Sequence, residues 1–178
     1  MRFLIYFQLL GFHYNRIGMN PLVSIGVPIY NVESYIERCA RSLFEQTYTN
    51  IEYVFIDDNS PDHSIEILKT TLEDYPDRIQ QVKIIRESVN IGLSAVRNKA
   101  VSMMSGEFVI WVDSDDFVEP NLLQNLIPLL DGRNDVIIYN MFKYQDGKKT
   151  YYTNEVFGKQ KQKNVSNLEC IKELFLSY

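Results

Sequence analysis

Apolar runs alternate along this chain with segments whose apolar residues recur at helical spacing. The stretch from Val23 to Val27 is rich in β-branched residues and ends at Pro28, which predicts a first buried strand. Apolar residues then recur every three or four positions up to Phe44, which predicts an amphipathic helix of about three turns. The alternation continues, with further strands predicted at 51–56, 82–85, 108–112 and 135–139, and further helices at 61–75, 94–104 and 120–130.

Capping and turn residues mark where several of these helices begin and end. Ser60 followed by Pro61 predicts an N-cap with proline in the first turn of a helix. Asn90 and Gly92 predict a turn before the next helix, and Gly106 predicts its C-terminal stop.

Strands that alternate with helices predict a doubly wound α/β fold with a mainly parallel sheet flanked by helices. Towards the C-terminus, KYQDGKKTYY predicts a β-hairpin because Asp-Gly supplies the positive backbone angles of a tight turn, and 168–176 has a helical pattern. We interpret residues 21–178 as a single domain. Residues 1–20 are interpreted as an N-terminal extension or a misplaced start, with a short membrane-surface anchor as the alternative.

Composition narrows the classes of function. The chain has 178 residues, 46% hydrophobic and 23% charged, as expected of one globular domain with a real core. Its formal net charge of −5 argues against a nucleic-acid-binding protein, which would carry a basic patch. The two cysteines, Cys39 and Cys170, suggest neither a disulfide framework nor a zinc site, so a reduced cytoplasmic chain is the simplest interpretation.

Polar side chains follow three of the predicted strands. Tyr30 and Asn31 follow the first strand, Asp57 and Asp58 end the second, and 113–116 follows the fourth. In doubly wound sheets, ligands bind outside the carboxyl ends of the strands near a switch point in strand order. We therefore expect a crevice edged by carboxylates and one tyrosine.

The sequence WVDSDDF places three carboxylates directly after an apolar run. Such a cluster can be a solvated turn, since aspartate and serine favour turns. It can equally bind Mg²⁺ or Mn²⁺, because hard carboxylate oxygens suit these ions and Mg²⁺ often takes one or two protein carboxylates while phosphates and water complete its shell. On the second interpretation, Asp115 bridges through the metal to a diphosphate.

The other candidates also have two interpretations each. The segment 57–60 is predicted to serve both as an Asx-rich turn and helix cap and, through one free aspartate, as an acceptor of hydrogen bonds from a base or ribose. Tyr30 can cover the sheet edge or stack on a nucleobase. Arg97 can be a solvated helix charge or can compensate an aspartate or a phosphate.

Several motifs in register resemble the family 2 glycosyltransferases and their nucleotide-binding GT-A fold. These motifs are VSIGVPIYNVESYIERCARSLFEQTYTNIEYVFIDDNSPDHS, NIGLSAVRNKA and GEFVIWVDSDDFVEP, and together they span roughly 22–138. The resemblance implies that a divalent cation, Mn²⁺ or Mg²⁺, is held on the diphosphate by Asp115. It also implies a nucleotide pocket formed by the remaining site residues: Pro28, Tyr30, Glu33, Asp57, Asp58, Arg97, Asp113 and Ser114.

Within this pocket, the resemblance implies that Tyr30 lies against the base and that Asp58 accepts a hydrogen bond from it. Arg97 approaches the nucleotide, and Asp113 approaches the ribose or the donor sugar. The donor is a sugar nucleotide, often a UDP-sugar, and transfer inverts the anomeric carbon. The acceptor is a glycan or a lipid-linked molecule, in bacterial polysaccharide or glycolipid assembly at the inner face of the cytoplasmic membrane, with peripheral membrane association.

An inverting transfer also needs a general base, which the family places well past the metal-binding motif. No residue stands out as that base among the candidates Asp146, Glu155, Glu169 and Glu173, and the acceptor-binding region looks short or absent. The alternative is a nucleotide-binding module without transferase activity, and self-association through the C-terminal helix is a further expectation.

A third class, a phospho-accepting receiver domain, also gathers carboxylates at strand ends. The receiver class fits this sequence poorly for two reasons. No lysine ends the predicted fifth strand, whose sequence is DVIIYN, and the acidic motif that suits a metal follows the fourth strand.

Overall fold

The computed structural model describes residues 7–9, 20–129, 136–137, 141–145 and 148–152. Its main sheet has six strands: β1 (Phe7–Leu9), β2 (Val23–Ile29), β3 (Ile51–Asp57), β4 (Val82–Arg86), β5 (Phe108–Trp111) and β6 (Val136–Ile137). Four helices accompany them: α1 (Ile36–Phe44), α2 (Ser64–Glu73), α3 (Leu93–Met103) and α4 (Leu122–Leu126). Short 3-10 helices cover Pro76–Gln81 and Ile127–Leu129, and β7 (Met141–Gln145) pairs with β8 (Lys148–Tyr152) as a separate antiparallel hairpin.

The strands of the main sheet lie in the order β4-β3-β2-β5-β1-β6. Strands β4, β3, β2 and β5 are parallel, whereas β1 pairs antiparallel with both β5 and β6. Strand order therefore reverses at β2, because the chain moves outward through β3 and β4 and then returns to the other side of β2 as β5. This reversal is the switch point at which doubly wound sheets bind ligands, and it confirms the predicted fold class.

Side chains of alternate residues on each central strand point to opposite faces of the sheet. On β3, Tyr53 and Phe55 pack into a large core that includes residues of α1, α2 and α4. Val54 and Ile56 pack on the other face against Val96 and other residues of α3. All seven residues of β3 are buried because helices cover both faces, as expected of a central parallel strand.

A buried carboxylate pins the amino ends of three strands together. Glu52 accepts hydrogen bonds from the Ser24 hydroxyl, from the backbone and hydroxyl of Ser105 and from the Gly106 N–H, and its Oε2 lies 3.0 Å from Lys83 Nζ. Burial by itself raises the pKa of Glu52, but these donors outweigh it and hold the pKa at about 2. This cluster lies at the opposite end of the sheet from the polar strand ends.

The observed elements differ from the predictions at three places. Helix α3 ends at Met103 with an extended Met104 as its C-cap, so the prediction of Gly106 as its C-terminal stop is wrong. Helix α2 begins at Ser64 with His63 in the cap position, so the prediction of Ser60 as its N-cap is wrong. Strand β1 lies within 1–20, where the sequence predicted no strand of the sheet, and it fills the position between β5 and β6. The assignment of 1–20 as an extension or misplaced start remains a prediction.

The predicted hairpin is confirmed by the pairing of β7 with β8. The predicted C-terminal helix at 168–176, the turn residues 146–147 and Cys170 lie outside the described residues. Among the described helices, none combines the length and apolar character needed to cross a lipid bilayer.

Candidate nucleotide-binding site

A pocket of about 430 Å³ opens at the carboxyl ends of β2, β3 and β5, where strand order reverses. Residues at or just after the end of each of these three strands line the pocket, because parallel strands end at the same edge of the sheet. The lining residues are Pro28, Ile29, Tyr30, Asp58, Asn90, Gly92, Leu93, Val96, Asp113, Ser114 and Asp115.

The acidic loop, residues 113–116, leaves the sheet in a tight turn. The Asp116 N–H donates to the Asp113 carbonyl at 2.9 Å, and Ser114 is only 5% exposed beneath the turn. This turn brings Asp113 and Asp115 to the pocket wall together. Arg97, on α3, donates to Asp113 Oδ1 at 3.0 Å and so compensates one of the clustered charges.

The pKa values of two carboxyl groups in this loop are raised chiefly by burial and further by neighbouring carboxylates. Burial raises the pKa of Asp113, the charge and hydrogen bond of Arg97 lower it in part, and Asp115 adds to the rise. Burial, followed by the charges of Asp115 and Asp113, raises the pKa of Asp116 to about 6, against a lowering effect of Arg38. A cation at this loop would favour the charged form of both groups, as opposite charges do.

Consecutive aspartates at the end of β3 have different surroundings. Asp57 is fully buried: its Oδ1 accepts the Ser60 N–H at 2.8 Å, and its Oδ2 lies 3.2 Å from Arg86 Nε. That second contact is an ion pair whose geometry is not that of a hydrogen bond. Asp57 therefore holds the turn after β3 and does not line the pocket.

Asp58 lines the pocket and holds the loop that precedes α3. Its Oδ1 accepts the Ile91 N–H at 2.6 Å and its Oδ2 accepts the Gly92 N–H at 2.9 Å. Gly92 has a φ of 84°, a left-handed backbone that favours glycine and lets both N–H groups face one carboxylate. An ionised carboxylate has about four acceptor positions, so Asp58 keeps capacity to accept from a ligand.

Glu33 forms hydrogen bonds that connect the segment after Tyr30 with the residues just before α2. The Glu33 N–H donates to Asp62 Oδ2 at 2.9 Å, and the His63 N–H donates back to Glu33 Oε2 at 3.1 Å. The neighbouring Val32 N–H donates to the Ser64 hydroxyl at 3.0 Å. Glu33 does not line the pocket; it braces the backbone that follows Tyr30.

Arg97 lies between the acidic loop and an aromatic ring. Its Cζ is 5.7 Å from the centre of the Trp111 ring, and a Cβ added to Gly26 would lie 2.4 Å from that ring. Gly26 on β2 therefore leaves the space that Trp111 occupies next to Arg97. The Nε of Arg97 is buried and has no hydrogen-bond partner among the described residues.

The structure brings together six of the nine residues predicted for the site. Pro28, Tyr30, Asp58, Asp113, Ser114 and Asp115 line the pocket, whereas Glu33, Asp57 and Arg97 are not among its lining residues. The prediction had not included Ile29, Leu93 and Val96, and it treated Asn90 and Gly92 only as a turn. The spacing of Asn90 and Gly92 marked a loop, but only the hydrogen bonds to Asp58 show that the loop reaches the pocket.

The residues present fit a divalent cation of the kind that binds both protein and phosphate. Asp115 and Asp113 offer hard oxygen ligands at the pocket wall, where carboxylate repulsion already favours positive charge. Within the described ranges, no group of three or more acidic, histidine or cysteine side chains converges on one point to hold a metal. A cation at Asp115 would thus need a phosphorylated ligand or water for most of its coordination.

Comparison with known proteins gives both a family and a fold. The model of the glycosyl transferase family 2 matches residues 24–177. Glycosyltransferase GlyA of Streptococcus pneumoniae is 32% identical over 154 residues, which is 86% of this chain but 21% of GlyA. The chain thus spans about a fifth of the length of this relative.

Two solved structures share the arrangement of the sheet and helices. TarS 1-349 of S. aureus in complex with UDP-GlcNAc matches with a TM-score of 0.56 and 31% identity, over 62% of this chain and 31% of that one. The mannosyltransferase PcManGT from Pyrobaculum calidifontis, in complex with GDP-Man and Mn²⁺, matches with a TM-score of 0.59 and 27% identity, over 64% and 34%. These similarities confirm the GT-A fold, and the chain belongs to the family 2 glycosyltransferases.

Proposed function

We propose that this chain binds a nucleotide diphosphate sugar, with UDP as the preferred nucleotide, and donates the sugar to a glycan or lipid-linked acceptor with inversion. The observation that carries the proposal is the pocket at the switch point, where Tyr30, Asp58 and the acidic loop meet. The UDP-GlcNAc complex of TarS and the GDP-Man complex of PcManGT support a nucleotide-sugar donor.

Each side of the pocket suits a different part of such a donor. Tyr30, with a side chain 51% exposed, offers a ring on which a base can stack. Asp58 faces the same space and can accept a hydrogen bond from the base. Asp113 and Asp115, on the other side, lie where a ribose, a sugar hydroxyl or a cation-bound diphosphate would sit.

The proposal includes Mn²⁺ or Mg²⁺ held by Asp115. When bound, the cation would stabilise the negative charge that develops on the diphosphate as the bond to the anomeric carbon breaks. Arg97 donates a hydrogen bond to Asp113 and so restrains the first residue of the acidic loop. The Mn²⁺ in the PcManGT complex supports a divalent cation in this fold.

The proposed setting is glycan assembly at the inner face of a bacterial cytoplasmic membrane. The structure argues against the receiver alternative. Asp57 is fully buried beside Arg86, and in Asp58 both oxygens already accept backbone N–H groups, which leaves Asp58 able to accept a hydrogen bond but poorly placed to attack a phosphodonor.

The test is the unfolding temperature of the purified chain with UDP, GDP, TDP or CDP, each with and without Mn²⁺. A ligand at about 100 times its Kd adds roughly 2.7 kcal/mol to the free energy of unfolding, which shifts the midpoint measurably. We expect UDP to raise the unfolding temperature, and to raise it further when Mn²⁺ is present. Mn²⁺ with uridine should change the unfolding temperature little. Absence of a shift with all four nucleotides would overturn the proposal.

A further inference from the structure

One row of residues on α1 and its C-terminal continuation contacts the segment that directly follows the acidic loop. Arg38, Ser42 and Gln46 recur every four positions, so they lie along one side of a helix and its C-terminal continuation. The Ser42 hydroxyl accepts the Val118 N–H at 3.2 Å, and the Gln46 amide donates to the Glu119 carbonyl at 2.7 Å. Successive residues of the row therefore contact successive residues of the segment after the acidic loop, from Ser42 with Val118 to Gln46 with Glu119.

Arg38 is the member of this row nearest the carboxylates. Its Cζ lies 4.1 Å from the centre of the Phe117 ring, the residue directly after Asp116. The same Cζ is 5.7 Å from the centre of the Tyr144 ring on β7. Phe117 and Tyr144 meet edge to face, with ring centres 5.6 Å apart. A helix, a loop and the hairpin therefore meet around one guanidinium.

We propose that Arg38, Phe117 and Tyr144 form a positioning cluster that couples the β7–β8 hairpin to the acidic loop and sets the orientation of Asp115 towards the diphosphate-bound cation. This role rests on the proposed donor function. None of the three residues lines the pocket, so the cluster acts through the loop and not by touching the nucleotide.

The physical basis is a cation–π contact that joins helix α1 to the segment after the acidic loop and to β7. Arg38 is exposed and Phe117 is partly buried, a setting in which such a contact is modest in strength. The contact lies between two hydrogen bonds of the same segment: the Asp116 N–H donates to the Asp113 carbonyl, and the Val118 N–H donates to the Ser42 hydroxyl. Removing the contact should leave the fold intact and loosen the acidic loop.

The first measurement is the Kd of UDP with and without Mn²⁺ for the parent, Arg38→Met, Arg38→Lys and Phe117→Leu. Arg38→Met and Phe117→Leu should weaken binding with Mn²⁺ by about twofold to fivefold, the strength of an exposed cation–π contact, and leave binding without Mn²⁺ unchanged. Arg38→Lys should restore part of the loss, since it keeps the charge but not the planar group. Phe117→Tyr, which keeps the ring, should bind as the parent does.

The matched control is Arg41→Met, which removes a positive charge from the same helix. Arg41 pairs with Glu37 at 3.0 Å and with Asp74 at 2.9 Å, away from the acidic loop. We expect it to leave the effect of Mn²⁺ on UDP binding unchanged. Equal metal-dependent binding by the parent and Arg38→Met would overturn the positioning role.

Amide hydrogen exchange tests the cluster without any nucleotide. Exchange at the N–H groups of Asp116 and Val118 should be about twofold to fivefold faster in Arg38→Met than in the parent, while exchange in strand β3 stays the same. Unchanged exchange at both amides would overturn the proposal by itself. If the parent binds none of UDP, GDP, TDP and CDP, the donor function fails, and the exchange rates alone decide whether the cluster positions the loop.

Discussion

Tyr30 and Tyr35 lie five residues apart and have equally exposed side chains, at 51% each, but only Tyr30 lines the pocket. An exposed aromatic ring at the end of a central strand covers little apolar surface of its own protein. Its position at the pocket mouth is consistent with stacking on a planar ligand, while Tyr35 next to the start of α1 provides a natural comparison.

We predict that Tyr30→Ala weakens UDP binding by at least about fivefold, since stacking on an aromatic ring contributes roughly 1–3 kcal/mol per base. Tyr35→Ala should bind UDP as the parent does. Calorimetric titration of the three proteins with UDP measures both effects. Equal affinity of the parent and Tyr30→Ala would remove Tyr30 from the base site.

The two aspartates at the end of β3 show what the sequence could not predict for single residues, namely which of the two reaches the pocket. The family resemblance placed both in the nucleotide pocket, whereas the residues alone predicted that one aspartate is free for a ligand, and successive residues of a strand do point to opposite faces. Asp58 reaches the pocket, and Asp57 pairs with Arg86 and the Ser60 N–H instead. A pair of consecutive carboxylates predicts that one of them is available to a ligand, but the partners that settle which one are remote in sequence.

At the scale of helices and strands, the apolar patterns predicted every central parallel strand, because helices bury both faces of these strands and leave long β-branched runs. Short or weakly patterned elements were missed. Strand β1 has three residues, and its pairing with β5 and β6 depends on contacts about a hundred residues away. In the segment 59–64 several residues can cap a helix, and Ser60 turned out to serve the turn after β3 instead.

Glu52 gives a pH-dependent prediction for the way the strands are held together. Its pKa of about 2 lies below the usual 4.5, so its contribution to the free energy of unfolding is present above about pH 4.5 and is lost as pH falls towards 2. Glu52→Gln should therefore lower the free energy of unfolding by roughly 2–3 kcal/mol at pH 7, and by less at pH 3.

Urea unfolding of the parent and Glu52→Gln at both pH values measures this difference. Glu66→Gln, at an exposed glutamate of α2, serves as the control and should change little at either pH. A difference between the parent and Glu52→Gln that stays constant from pH 7 to pH 3 would contradict the role of the ionised carboxylate.

For the whole molecule, the site follows from topology more than from any single motif. The reversal of strand order at β2 brings the ends of three strands to one edge, and each carries polar residues that the chain separates by about 27 or 55 positions. The net charge of −5 disfavours an anionic ligand by itself, so a diphosphate here is expected to arrive with a cation. The sequence predicted this edge because the alternation of strands and helices implies a doubly wound sheet.

The most direct measurement is calorimetric titration of UDP into the parent, Asp115→Asn and Asp77→Asn, with and without Mn²⁺. Asp77 is an exposed aspartate of the first 3-10 helix, and its variant removes the same charge away from the pocket. The parent and Asp77→Asn should bind UDP more tightly with Mn²⁺, and Asp115→Asn should lose at least about tenfold of the affinity in Mn²⁺ while remaining folded. Tight, metal-dependent binding of UDP by Asp115→Asn would contradict the assignment of the cation to Asp115.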